Sequence, residues 1–414
     1  MKLNIGWLAK DIVNQLWFTV ALYCLLGLGT ALSALFLDRF IPDAVSSQIG
    51  ADAVDRILGI IAASMLAVTT FSISTMVQAF ASAASGATPR AAQLVVEDRT
   101  AQTALATFIG AFVFSLVGLI ALSTGAYGSS GRLVLFIATI VVVLLIVIML
   151  LRWIHRLSRL GRLGETVDQV ERATLKAIDR RRERPCLGGR EAPSIAPVGH
   201  GVMAGKIGYV RRIDMARLSR LADHASRDVC VTALPGTFAT PDRTLAVIVG
   251  SHDDDFAKQV AECFLIGDQR SYEQDPRFGL VVLSEVASRA LSPAVNDPGT
   301  AIDVIGTMVR VLSRWADGAD RPGTEIEYPR VFVPAVTARD LLDDGIGPIA
   351  RDGAGLVEVG IRLQKGMRAL THLGDEAMAD AARAHAAQAV ARAQQALSFA
   401  PDRERLQKAA EGET

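Results

Sequence analysis

Apolar residues dominate roughly the first 150 positions, in four stretches at about 14–37, 57–80, 103–126 and 132–151; beyond them they recur at helical or alternating spacing. Uncharged stretches of this length predict membrane-spanning helices. The fourth, RLVLFIATIVVVLLIVIML, is the plainest, with an interior almost wholly of β-branched residues and leucine. The second differs in two ways. No charged residue lies between Arg56 and Arg90, so as one helix this run would be about 50 Å long against a hydrocarbon core of about 30 Å. It must tilt, break or project beyond the bilayer. Its polar residues are also sorted by face: Ser64, Phe71, Ser74, Thr75, Gln78, Ser82 and Ser85 fall within about a third of the circumference. Met65, Leu66, Ile73, Met76, Val77 and Phe80 lie opposite. Such a stripe gains nothing in lipid unless it meets other helices or water.

After the fourth stretch, apolar positions at Leu157, Leu160, Leu163, Val167, Val170, Thr174 and Ile178 predict an amphipathic helical extension over 152–182, with Gly161 and Gly164 as weak points. It either packs on its own domain or meets copies of itself. Residues 183–201, rich in proline and glycine, read as a linker or ordered loop at a domain boundary. A mixed domain follows over 202–414. KIGYVRRID, DVCVTAL, TLAVIVG and Val331–Val336 read as strands. MARLSRLADHA, 255–266 and 338–344 read as helices, and Leu356 to about Ala410 as two alanine-rich helices broken near Gly374. Ser292-Pro293 and Asp297-Pro298 each resemble an N-cap followed by proline at the first helical position. Together they predict a tight polar elbow holding Arg289, Ser292, Asn296, Asp297, Thr300 and Asp303, explained by capping, or else a small-ligand, ion or subunit site. His252 beside Asp253–Asp255 reads as part of a helix cap, with no second cluster to complete a metal site.

Charge orders these elements in a membrane. Formal charge balances at 43 basic and 43 acidic residues in 414, so nothing in the whole chain argues for nucleic acid. Lys2 and Lys10 precede the first span, Arg90 and Arg99 separate the second and third, and Arg152, Arg156, Arg159 and Arg162 follow the fourth. The loop at 38–56 is rich in aspartate. The positive-inside rule then places both termini in the cytoplasm. The first span lacks a cleavage pattern and is expected to stay. Cys24, Cys186, Cys230 and Cys263 form no paired motif and read as reduced thiols.

Catalytic vocabulary is sparse. No phosphate loop, dinucleotide fingerprint, zinc-helix motif or nucleophile elbow is present, and the histidines show no ligand spacing. No cofactor or metal is expected. Spans one, three and four carry no interior acid or base besides the Cys24 thiol, which argues against a proton-coupled transporter. A pore needs less: hydroxyl and amide side chains can line it and an apolar ring can constrict it. Gln78 would form the polar ring and Phe71 the constriction. The competing account is helix packing within one subunit, which small and hydroxyl residues also favour.

FSISTMVQAFASAASGATPR at 71–90, RALSPAVNDPGTAID at 289–303, GYVRRID at 208–214 and PGTFATPDRTLAVI at 235–248 are similar to segments of a bacterial membrane-protein family, the domain-of-unknown-function 2254 (DUF2254) family. The resemblance implies an integral membrane protein with a cytosolic domain and supplies no catalytic residues. The expected architecture is an α-helical membrane domain of four transmembrane helices over 1–151, followed by a cytosolic α+β domain with a helical C-terminal region. The expected role is a homo-oligomeric inner-membrane channel or small-solute pore lined by span two. The alternative is a membrane-anchored sensor or scaffold that binds a ligand or protein through its cytosolic domain.

Overall fold

Long uncharged apolar runs satisfy their backbone polar groups only by coiling, and helices fill the N-terminal part of the computed structural model. It describes residues 16–37, 51–96, 98–124, 129–157, 161–193, 197–250, 254–317 and 325–413. By internal contacts the chain forms two units, Met1–Thr166 and Val167–Thr414. The first contains α1 (Leu16–Leu37), α2 (Ala51–Gly86), α3 (Pro89–Val96), α4 (Arg99–Ser123) and α5 (Ser129–Leu157). Among the described residues three segments are long and apolar enough to cross a membrane: Ala53–Gly86, Thr100–Ser123 and Gly131–Leu157. α1 adds a shorter apolar stretch, Val20–Thr30. The start of the expected first span and most of the loops that carry the charge argument lie outside the described residues.

α2 runs unbroken for 36 residues, about 54 Å. The overlong run is therefore one continuous helix that ends at Gly86, and the Thr88 hydroxyl accepts from the Ala91 amide (3.2 Å) as α3 begins at Pro89. α4 is the central helix: 56% of its apolar segment is buried, against 33% for α2 and 17% for α5. It packs against α1, α2 and α5. A side chain at Gly27 would sit 2.6 Å from the Gly110 carbonyl oxygen, so α1 and α4 approach through small residues, as membrane helices do. Leu58, Phe114 and Leu135 form one cluster, and Ile61, Met65, Phe108, Ile146 and Trp153 another.

The helical extension is interrupted at Gly161, one of its two glycines, whereas Gly164 lies inside the helix that follows. α5 ends at Leu157, Gly161 takes a left-handed φ of 79°, and α6 covers Leu163–Glu183. Val167, Val170, Thr174 and Ile178 are buried, and α6 packs on its own chain. A Cβ at Gly279 would lie 1.8 Å from the Thr174 hydroxyl oxygen. Glu171 receives both arms of the Arg310 guanidinium at 2.7 Å, and Asp179 pairs with Arg314 at 2.7 Å.

Two short strands lie within residues 183–201, the stretch expected as a linker or ordered loop. A 3₁₀ turn at Pro185–Gly188 leads to β1 (Gly189–Glu191), and β2 is Gly199–Met203. Their glycines permit close backbone approach: a Cβ at Gly189 would meet the Val331 oxygen at 2.5 Å, and at Gly199 the Ile248 oxygen at 2.2 Å. The division between units falls inside α6. Then follow β3 (Gly208–Ile213), α7 (Met215–Ala225), β4 (Val229–Val231), β5 (Phe238–Ala239), β6 (Thr244–Val249), α8 (Asp254–Ala261) and β7 (Phe264–Gly267). The helix expected over 255–266 stops early because Phe264 and Ile266 alternate inward as strand residues beside β3. His252 and Asp253 lie outside the described residues.

The second unit continues with α9 (Pro276–Ala290), α10 (Pro298–Ala316), β8 (Tyr328–Val333), α11 (Ala338–Asp352), α12 (Val357–Thr371), α13 (Glu376–Ala396) and α14 (Ala400–Glu411). A mixed sheet of order β1-β8-β4-β6-β2 and an antiparallel sheet of order β5-β3-β7 share one apolar core with α7 and α8. The C-terminal tail comprises three helices; α12 and α13 separate at Gly374, which is left-handed. The unit is α+β with a helical C-terminal part.

The Gly279–Thr174 contact makes a prediction. Gly279→Ala should lower the unfolding free energy by about 1–3 kcal/mol through overpacking. Gly164→Ala, in α6 with no atom within 4 Å of its new Cβ, should be neutral or stabilise by up to about 1 kcal/mol. Thermal unfolding of the purified variants checks both.

Candidate functional site

α2 has three faces. Val54, Leu58, Ile61, Met65, Thr69, Ser72, Ala79 and Ala83, spaced three, four or seven apart on one face, are buried. Leu66, Ile73, Val77 and Phe80 are exposed and apolar, suited to lipid. The polar stripe forms the third face, and it is turned outward. Ser64, Phe71, Ser74, Gln78, Ser82 and Ser85 are exposed, Thr75 half-buried, and the Phe71 ring is 62% accessible. Packing within the unit therefore leaves most of the stripe exposed.

The hydroxyls on this face are partly satisfied by their own helix. Ser64 donates to the Ile61 carbonyl (3.2 Å), Thr75 to Phe71 (2.9 Å) and Ser85 to Ser82 (3.1 Å). Such back-bonding leaves the oxygen able to accept. Ser74 and Gln78 have no hydrogen-bond partner among the described residues. A carboxamide brings two donors and a two-lone-pair acceptor, so Gln78 is the most demanding group on the face. Ser82 reaches further, donating to the Gly161 carbonyl (3.1 Å) at the break between α5 and α6.

A charged triad ties the same end of the unit. Arg156, on the last turn of α5, donates to Glu165 at the start of α6 (2.6 Å) and to Asp98, which caps α4 by accepting from the Ala101 amide (3.0 Å). All three side chains are largely buried, 15%, 10% and 6% accessible for Arg156, Asp98 and Glu165. One guanidinium thus fixes the end of one span, the start of another and the first turn of α6. Sequence reading missed this cluster. Asp98 ahead of Arg99-Thr100 carries a readable cap signal, but pairing across 58 positions leaves none.

The elbow is a capped turn. Asp297 caps α10, accepting from the Thr300 amide (3.1 Å) and hydroxyl (2.6 Å), and these bonds hold its carboxyl below the usual range. Ser292, expected as a second N-cap, instead donates to the Arg289 carbonyl (2.7 Å), while its own carbonyl receives the amides of Val295 and Asn296. Asn296 takes the left-handed φ of 51° that closes the turn. Arg289, Asn296 and Asp303 are exposed.

At the opposite end of α9, Asp275, 1% exposed, caps the helix and receives two nitrogens of Arg270 (2.9 and 2.8 Å). Burial pushes its carboxyl up, and Arg270 opposes that. A Cβ at Gly236 would sit 2.3 Å from this carboxylate, so the glycine makes room for the pair. Buried Arg181 donates to the Gln274 carbonyl (2.7 Å), and burial lowers its pKa to about 10. These groups knit the unit together. Among the described residues no group of three His, Cys, Asp or Glu side chains is placed to hold a metal.

The triad predicts a non-additive pattern. Arg156→Met leaves two largely buried carboxylates facing each other and should cost about 3 kcal/mol or more. Adding Asp98→Asn and Glu165→Gln to it should recover most of that loss. Denaturant unfolding of the parent, the single variant and the triple variant in detergent checks the pattern.

Residues 13–369 match the predicted membrane protein family DUF2254. Among curated proteins, the chain is similar to uncharacterized protein Rv1290c of Mycobacterium tuberculosis and to uncharacterized protein Mb1321c of Mycobacterium bovis. Each is 29% identical over 162 residues, covering 37% of this chain and 31% of the relative. The match thus spans about a third of those relatives' length. No solved structure matches the chain. The match along most of its length, together with the three apolar spans, makes this chain a membrane protein of the DUF2254 family.

Proposed function

We propose that the protein is a homo-oligomer of the bacterial inner membrane in which α2 helices from several copies line a path for an ion or small solute. The observation that carries this reading is the outward-facing polar stripe of α2, which the unit's own helices leave uncovered. An amide without a partner in hydrocarbon costs several kcal/mol. Meeting the same face of other copies around water removes that cost, while Leu66, Ile73 and Val77 remain toward lipid. Phe71 on the same face supplies an apolar ring of the kind that gates by dewetting.

The second unit would lie in the cytoplasm with both termini, as the basic residues after α5 and between α2 and α4 favour. It would act on the path through α6. The first turn of that helix is held by Arg156 through Glu165, and the preceding Gly161 carbonyl is held by Ser82 of α2. Movement of α6 thereby reaches the lining helix through named bonds.

Ion flux into liposomes containing the purified protein tests this reading. Phe71→Ala should raise flux severalfold by widening the constriction, and Gln78→Leu should lower it severalfold by removing the polar ring. Folded, oligomeric protein that passes no ion, or variants that leave flux unchanged, would contradict it.

A further inference from the structure

A groove of about 630 Å³ opens between the first turn of α4 and the last turns of α5. Its lining is two-natured. Met149 and Leu151 are apolar, Leu151 being 64% exposed, whereas Thr100, Thr103, Arg152 and His155 gather at the helix ends. The volume lies within the range of small-molecule sites.

The charges around it are unequal in availability. Arg156, also on the rim, is engaged by Asp98 and Glu165. Arg152 is exposed and has no hydrogen-bond or ion-pair partner among the described residues. The Thr100 and Thr103 hydroxyls line the groove from the N-terminal end of α4. An uncommitted cation, two hydroxyls and an apolar trough continuing along a membrane span make a surface complementary to a phosphate with a hydrocarbon chain attached.

We propose that this groove binds one anionic phospholipid. Arg152 and the Thr100 and Thr103 hydroxyls take the headgroup phosphate, and Met149 and Leu151 take the upper part of one acyl chain. The lipid would sit beside the Arg156 triad, where its occupancy stiffens the junction of α4, α5 and α6. This inference rests on the membrane character of the family and is independent of the pore reading: a protein that conducts nothing could still hold the lipid.

The test uses the full chain, delipidated in a neutral detergent and followed by thermal shift during titration with short-chain phosphatidylglycerol. Phosphatidylcholine of the same chains and inorganic phosphate serve as comparisons. Phosphatidylglycerol should stabilise the protein saturably, and Arg152→Gln should weaken its half-saturation about fivefold, the equivalent of about 1 kcal/mol per cation at an anionic surface. The melting point without lipid should stay unchanged in that variant, because Arg152 makes no bond to lose. Met149→Trp, which fills the trough, should weaken binding while Arg152 remains; if that variant fails to fold, the Arg152→Gln comparison decides. Equal stabilisation by phosphatidylcholine, or no effect of Arg152→Gln, would overturn the proposal. Equal stabilisation by inorganic phosphate would overturn it too, since the trough would then contribute nothing.

Discussion

A hydrogen-bonding side chain on a membrane helix can satisfy itself on its own backbone, on a neighbouring helix or in water, and the arrangement of α2 depends on how these three are shared out. Its buried face uses the first route at Thr69, which bonds back to the Met65 carbonyl at 2.6 Å, and most of the remaining residues of that face are apolar. On the outward face Ser64, Thr75 and Ser85 take the first route. Gln78 has no such option, because a carboxamide exceeds what one helical carbonyl can satisfy. The face therefore asks for water or for another copy of itself.

The same economy governs the end of the unit. Arg156 would be costly at a span terminus alone, and so would Asp98 and Glu165. Held together, they join three helices at one point. Arg152, one turn earlier on α5, is left outside that arrangement and faces the groove. Two arginines four residues apart thus do different work, one structural and one available for an anion. Gly161, between α5 and α6, takes a left-handed φ, which explains why glycine occupies that position.

Much of this was legible from residue pattern. Uncharged runs marked α2, α4 and α5, and the angular sorting of Ser74, Thr75, Gln78 and Ser82 marked one face. Asp297-Pro298 marked the start of α10. What the pattern left ambiguous was direction: polar residues on one face are equally compatible with packing inward and facing outward, and only the placement of α4 and α5 beside Leu58, Met65 and Ala79 distinguishes the two. Glycine misled in one place, for Gly189 and Gly199 serve strand contact although the stretch reads as a linker. Ser292 misled in another, since Ser-Pro suits a turn as well as an N-cap. Long-range pairs such as Arg156 with Asp98, or Arg310 with Glu171, depend on how helices are brought together and leave no local periodicity.

The central claim is that the polar face of α2 meets water inside an assembly while its exposed apolar face meets lipid. Accessibility to a membrane-impermeant thiol reagent tests it most directly, with single cysteines placed at Ser74 or Gln78 and at Ile73 or Val77 in protein otherwise free of cysteine, reconstituted in liposomes. The account predicts rapid modification at Ser74 and Gln78, and protection at Ile73 and Val77 one residue away. Equal protection at all four positions would contradict a water-lined face, and equal modification would contradict its confinement to the polar stripe.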